Sequence, residues 1–400
     1  MKRAEHELLF AIARRESDPD LRNLVARVSD WEYLLTTAMG HGLVALLQKH
    51  LFSLKDDLKK TEAPIPTSVL SRLKLQCVSN LSNVLHLLGK QLTVHQLLDQ
   101  NAVPAAIFKG SVLSQIAYGD ISLRQAGDID VLISPKHFDR ARKLLESLGY
   151  QMTPPLTDAQ LASHLKSHCE IQFVRDDWLT VVDLHWALAP KSFVFKLDAD
   201  EVLSRLQTVT IGGAEIKTLS TEDSILYQSM HGAKHLWRRI EWISALGETI
   251  RAAQVIDWDA VIKRAAEAHA TRMLTLGLRL AERLSGTRVP AGLDHYRSMD
   301  RLAENILKTT FSVTGAADST ETNLYNLKIM DRKRDALAST LRALFVPTLT
   351  DWSALNLPPS LHSLYYAYRP LRLSKVYTAS LWQRIYTASR WRRLSSKGAA

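Results

Sequence analysis

Cysteine is nearly missing from this sequence: Cys77 and Cys169 are the two in 400 residues. They build neither a disulfide framework nor a metal-type pair, which fits a reducing compartment better than secretion. Long apolar runs are missing too, since no stretch approaches the roughly 18 uncharged residues that a membrane-spanning helix needs. The opening MKRAEHELLFAIARRESDPD is basic, but Glu5, Glu7, Arg14 and Arg15 interrupt it before a signal-type segment develops. A cytoplasmic protein is expected. There is no internal repeat and no low-complexity run, and 46% apolar with 23% charged residues describe an ordinary globular chain. Four hundred residues exceed what one core usually serves, so two or three domains, or one with large helical additions, are expected.

Acidic residues are absent from Trp352 to Ala400, where Arg369, Arg372, Lys375, Arg384, Arg390, Arg392, Arg393 and Lys397 supply eight of the ten net positive charges. The remainder is therefore almost neutral. A basic, aromatic-bearing tail suits RNA, an anionic peripheral membrane surface or an acidic partner. It is equally read as a solvated helix end.

Along the chain, apolar spacing of three and four predicts helices over residues 5 to 60 and from Val69 to Leu98, separated by EAPIPTS. The period then shortens. VPAAIFKG and DIDVLI read as strands bracketing a helix-compatible Ser111 to Tyr118, and PKHFDRARKLLESLGY as a helix opened by Pro135 and ended by Gly149. EIQFV and LTVVDLHWAL predict an antiparallel hairpin across RDDW, and TVTIGGAEIKTLS a second one turning at Gly212 and Gly213. From a capping pattern at Ser220 or Thr221 ahead of Asp223, one periodic helix is predicted for many turns, with more helix to about Ser285. TGAADSTETN reads as a linker, VPTLTDW and LNLPPS as loops. The expected division is an N-terminal helical region (1–100), a mixed α/β core (101–220), a helical domain closing the active site (221–312) and a C-terminal helical region with the basic tail (323–400).

The chemistry concentrates in FKGSVLSQIAYGDISLRQAGDIDVLI, residues 108 to 133. Asp128 and Asp130 alternate with apolar residues, so in a strand they project side by side, about 7 Å apart, while Ile129, Val131 and Ile133 face a core. Two such carboxylates repel unless a cation sits between them, and hard oxygen ligands suit Mg²⁺. Alone, D-x-D is common and reads as readily as a turn and an exposed strand start. Lys109, Gly110 and Ser111 shift that balance. They stand at a strand-to-helix junction, where small residues let backbone N–H groups approach a phosphate and the helix N-terminus favours the anion.

Strand, glycine-serine turn, helix and D-x-D strand together resemble the core of the polymerase-β-type nucleotidyltransferase superfamily. More closely, the sequence is similar to a bacterial family of uncharacterised nucleotidyltransferases patterned as KG, R-x3-D-x-D, D/E-x-H-W and H-G-x-K-H. All four parts are present: Lys109 with Gly110, Arg124 with Asp128 and Asp130, Asp183 with His185 and Trp186, and HGAKH at 231 to 235. LFVPTLTDW and LYYAYRPLRL near the end also look familial. Where the family often carries an aspartate shortly after the tryptophan that follows HGAKH, this chain reads WISALGE with Ala245. The 18 positions from Gly110 to Asp128 are also more than many superfamily members have, so this loop is a candidate acceptor element.

The resemblance implies an α+β, mostly helical fold with a small mixed sheet. It implies transfer of a nucleoside monophosphate from an NTP to a hydroxyl or phosphate acceptor, releasing pyrophosphate. Asp128, Asp130 and Asp183 would hold two Mg²⁺ ions, with Asp183 also taking a proton from the attacking hydroxyl. Gly110 and Ser111 would hold the phosphates, and Lys109 and Arg124 would meet charge on the leaving pyrophosphate. His185 is read as orienting Asp183, contacting nucleotide or acceptor, or simply packing. His231, Lys234, His235 and Arg238 fall on one helical face opposite Ala233, Trp237 and Ile240, either a nucleotide-binding basic stripe or a solvated face. His231 with His235, and His164 with His168 beside Cys169, have metal-ligand spacing but lack further ligands, so no structural zinc is expected. The acceptor class stays open among small molecule, sugar, peptide and protein. A toxin-like transferase acting on tRNA and a non-catalytic scaffold are the alternative readings.

Overall fold

The computed structural model describes residues 3–14, 18–58, 65–175, 180–293, 296–311, 319–355 and 357–375. The first apolar periodicity resolves into four helices, α1 (Ala4–Arg14), α2 (Asp18–Ala26), α3 (Trp31–Gly40) and α4 (Val44–Leu58). Asp30 starts α3 by accepting the Tyr33 backbone N–H at 2.9 Å, an N-cap. The long α5 (Thr67–Gln100) follows. Leu87, Leu88, Val94 and Leu98 from its second half enter the same core as the inner face of the sheet.

The central unit runs β1 (Ala105–Ile107), α6 (Gly110–Tyr118), β2 (Ile129–Ile133), α7 (Phe138–Ser147), β3 (Gln151–Thr153), α8 (Asp158–Ser167), β4 (Glu170–Val174) and β5 (Val181–His185). Its strands lie in the order β1-β2-β5-β4-β3, with β2 and β5 parallel and the other pairs antiparallel. The expected β4–β5 hairpin is present, while its turn at 176–179 lies outside the described residues. After α9 (Ala199–Leu203), β6 (Gln207–Ile211) and β7 (Ala214–Thr218) form the second expected hairpin as a separate sheet. Gly212 and Gly213 have φ of 60° and 82°, the left-handed pair that a two-residue turn of this twist demands.

Strand alternation decides where the site lies. Ile129, Val131, Ile133, Ile171, Phe173, Val182 and Leu184 share one apolar cluster on one face of the sheet. Asp130, Asp183 and His185 occupy the other positions and therefore the opposite face. Ala106, Phe108 and Leu132, of that second parity, join a cluster with the later helices. The carboxylates thus face the C-terminal helices.

Those helices are α10 (Thr221–Lys234), α11 (Ile240–Ala252), α12 (Trp258–Glu267), α13 (Thr271–Ser285), α14 (Arg297–Thr309), α15 (Ser319–Ile329), α16 (Lys333–Phe345) and α17 (Leu349–Ala354). Ser220 caps α10 by accepting from the Asp223 N–H, as its sequence indicated. The single long helix expected from here is broken after Lys234. Leu236 and Trp237 take φ of 58° and 51°, and the Trp237 N–H returns to the Gly232 carbonyl at 2.8 Å. The indole folds back over the last turn of α10, which removes Arg238 from the helical stripe. Gly232 makes this possible, because a Cβ there would lie 2.4 Å from the Trp237 ring. Gly232→Ala is expected to destabilise the fold by about 2 kcal/mol, the scale of core overpacking, read as a lower denaturation midpoint with unchanged slope.

Two further expectations are corrected. The proposed VPTLTDW loop contains α17, started by a capping box between Thr348 and Asp351. The buried Asp351 is then neutralised by Arg369 and Arg372, each at 2.6 Å, so these two tail cations are committed to an internal carboxylate. The tail from 376 onward lies outside the described residues. So does the first part of the expected linker, and α15 begins at Ser319 within the rest. Among the described residues no helix is long and apolar enough to cross a membrane.

Candidate active site

Register brings the two distant aspartates together. Asp130 on β2 pairs with Asp183 on the parallel strand β5, so both carboxylates stand on one face about 5 Å apart along the hydrogen-bonding direction. Asp130 is 2% exposed. Its Oδ1 takes Lys109 Nζ at 2.5 Å and His185 Nε2 at 3.0 Å. Its Oδ2 is buried with no hydrogen-bond partner, as is Asp183 Oδ1. Asp128 stands one residue before β2, and its backbone carbonyl lies near Gly110.

The electrostatics follow from this crowding. Burial tends to raise the Asp130 carboxyl, but Lys109 and His185 outweigh it and hold its pKa far below the usual carboxylate range. Burial likewise opposes the Lys109 ammonium, and Tyr227 with Asp130 more than offset that. At Asp128 burial, then Asp130 and Asp183, outweigh Lys109 and His185 and push it up to about 7. Asp183 is also raised, by burial and by Asp130. Three carboxylates thus share too little positive charge.

A divalent cation fits this deficit. Ligand atoms of Asp130, Asp183 and His185 lie within 4.8 Å of one another, and the two orphaned carboxylate oxygens are the kind of hard donor that Mg²⁺ takes. Cys169, Glu170 and His185 form a second such group, but burial pushes the Cys169 thiol up to about 12, away from the thiolate a soft metal requires. His164 and His168 stack at 4.2 Å between ring centroids, with His164 Nε2 donating to the Glu170 carbonyl.

The phosphate-junction residues sit at the start of α6. Lys109 is its N-cap, with extended backbone and no side-chain cap bond, so side chains leave the first N–H groups uncapped. Gly110 has φ of 52°, a left-handed conformation that argues for glycine at this position. The Ser111 hydroxyl donates to Gln91 Oε1 at 3.0 Å, so its side chain anchors α6 to α5. His185 holds Asp130 instead of Asp183, and packs edge-on against Phe108 at 5.1 Å.

Arg124 is bound to Glu241 of α11, Nε to Oε1 at 2.5 Å, with both side chains largely buried. Its Nη1 has no partner. Arg124, Lys109, Tyr227, His231, Trp242 and Ala245 border a cavity of about 40 Å³. Ala245 borders the same cavity, and the carboxylate on Arg124 comes from Glu241, one turn earlier on α11. Glu241→Ala strands the guanidinium and is expected to cost about 3 kcal/mol in chemical denaturation. Adding Arg124→Met to it is expected to recover most of that loss.

The stripe expected at 231 to 238 is only partly assembled. His231 and His235 rings lie 4.6 Å apart and both contact Trp242. Burial holds both imidazoles below the usual histidine range, His235 at about 4, with neighbouring lysines adding to the effect. Of the four residues, His231 lines the 40 Å³ cavity, whereas Arg238 borders a different one. Lys234 is close enough to help lower the Glu170 carboxyl.

Sequence reasoning missed five supporting residues. Glu170 lies opposite His185 in the β4–β5 register, its Oε2 3.1 Å from His185 Nδ1 but off the hydrogen-bonding direction. Tyr227 and Glu241 supply partners from the helical region. Asn80 and Asn83 of α5 donate to the carbonyls of Ser122, Arg124 and Ala126, and so fix the loop that carries Arg124 into Asp128. Nothing in the sequence singles out these two asparagines, because α5 carries many other polar side chains.

This constellation is that of a nucleotidyl-transferring class. Residues 27–286 match the model of the family described as uncharacterised nucleotidyltransferase, and the chain belongs to that family. No curated protein sequence matches it. Among solved structures it is similar to ANT(2″)-Ia in complex with adenylyl-2″-tobramycin, at 16% identity and TM-score 0.31, covering 44% of this chain and 96% of that one. The solution structure of ANT(2″)-Ia gives 16% and 0.29, covering 47% and 91%. An antigenic nucleotidyltransferase-like protein from Paracoccidioides brasiliensis gives 16% and 0.27, covering 46% and 89%.

Proposed function

We propose that the chain moves a nucleoside monophosphate from an NTP to a hydroxyl or phosphate acceptor in the cytoplasm and releases pyrophosphate, using Mg²⁺. The observation that carries this reading is the registered pair Asp130 and Asp183, each with an orphaned buried oxygen, beside the uncapped start of α6. Asp128, Asp130 and Asp183 are the residues to hold two ions. Bound there, Mg²⁺ supplies charge neutralisation for the triphosphate and its departing pyrophosphate.

The chain's own groups do the rest. Backbone N–H groups of Gly110 and Ser111 hold the phosphates at the helix N-terminus. Lys109 and Arg124 place positive charge beside them, and Lys109 with His185 keeps Asp130 ionised and aimed. Asp183, whose raised pKa suits a base better than an ordinary aspartate, accepts the proton of an acceptor hydroxyl. The helices α10 to α14 form the domain that closes over the site, with His231, Lys234 and His235 on its inner side. The test is calorimetric binding of each NTP with Mg²⁺ and then with EDTA. Binding of at least one NTP that needs the cation supports the reading, and binding of none overturns it.

A further inference from the structure

The turn that follows α10 also borders a cavity of about 230 Å³, lined on its other sides by residues of α14 and α15 and by Thr310. Three of its lining side chains are more than nine-tenths buried: Trp237 at 0% exposure, Thr310 at 7% and Tyr325 at 8%. Trp237 Nε1, Thr310 Oγ1 and Tyr325 Oη all lack a hydrogen-bond partner. Native interiors leave few buried polar atoms unpaired, so three around one cavity call for an occupant.

Its chemistry can be read from the lining. An indole N–H only donates, and the two hydroxyls are free to donate as well. Lys328 borders the same cavity, and its described lining contains no carboxylate. The missing partner is therefore an acceptor bearing negative charge. Leu236, Leu302, Ile306 and Leu324 supply the apolar part of the remaining wall, and Asn305 and Thr309 its polar part. An engineered cavity of about 150 Å³ accepts benzene, so this one has room for a ring-sized body with a charged head. The consecutive left-handed residues Leu236 and Trp237, a conformation that L-residues seldom adopt, are what turn the indole to this place.

We propose that this cavity is a second small-molecule site, distinct from the carboxylate centre, which takes a carboxylate or phosphate carried on a compact apolar body. Titration calorimetry of the full chain with benzoate, phenyl phosphate and benzylamine tests it. The expected result is binding of at least one of the two anions, and not of the amine, unchanged by saturating Mg²⁺ and NTP. The bound anion distinguishes the carboxylate from the phosphate head.

Tyr325→Phe and Trp237→Phe are each expected to weaken that binding about tenfold or more, as loss of a donor to a charged acceptor does. Tyr325→Phe should leave Mg²⁺-dependent NTP binding as it is. Without ligand it should not lower the melting temperature, because its hydroxyl holds nothing. Failure of both anions to bind, equal binding by the amine, displacement of the anion by Mg²⁺ and NTP, or undiminished binding in both variants overturns the proposal. So does a melting temperature lowered by several degrees in Tyr325→Phe, which would show the hydroxyl satisfied by internal water.

Discussion

Asp130→Asn is expected to reduce nucleotidyl transfer by about 10³-fold or more, the scale set by removing a preorganised charge at a reacting centre. The asparagine is nearly isosteric, so what is lost is the negative charge that Lys109 and His185 hold and that the proposed divalent cation would share. The variant also leaves Lys109 buried without its counter-charge, which lowers stability by a separate route. The two effects can be separated. In Asp130→Asn with Lys109→Met, denaturation should show stability largely recovered while transfer stays absent. Recovery of transfer in the double variant would mean that Asp130 serves only to neutralise the lysine.

Asp128→Asn is expected to stabilise the cation-free protein at alkaline pH. The folded-state pKa of Asp128, about 7, lies above the ordinary aspartate value of about 3.9. The unfolded chain therefore releases this proton first as pH rises. Stability contributed by protonated Asp128 is fully present below about pH 4 and is lost as pH rises through about 7, by as much as about 4 kcal/mol. Removing the carboxylate removes the loss, so the variant should melt higher than the parent at pH 8 and alike at pH 4. Mg²⁺ should raise the parent's melting temperature more at pH 8 than at pH 5, and should do much less for the variant. Parallel melting curves across this range would show that Asp128 is not pressed by the other two carboxylates.

Local patterning made much of this site readable. Alternation in DIDVLI and VVDLHW placed Asp130 and Asp183 on strands, whereas Asp128, expected beside Asp130 on the same strand, stands one residue before β2. The Lys109-Gly110-Ser111 junction marked a helix start, because such signals depend on neighbours a few residues away. The pairing of Asp130 with Asp183 depends on strand order across the sheet, and the four-part motif, not periodicity, suggested it. Glu170 looked like any strand-opening residue, since its meeting with His185 is set by the β4–β5 register. Helical periodicity also overran residues 235 to 239. There the burial of one indole over Gly232 outweighs helix continuation, and so Arg238 leaves the stripe. The small β3 and α9 were too short for a periodic signal, although Thr157 and Gln160 do carry the capping-box signature of α8.

Whether these carboxylates support nucleotidyl transfer is decided by incubating the full chain with each α-labelled NTP, Mg²⁺ and a cell extract, following label transfer and pyrophosphate release together in the native protein and in Asp130→Asn. Transfer of label from one NTP, matched by pyrophosphate, abolished by EDTA and absent from the variant, is the expected result. Transfer that persists in Asp130→Asn, or NTP binding with no transfer and no pyrophosphate under any condition, would contradict it.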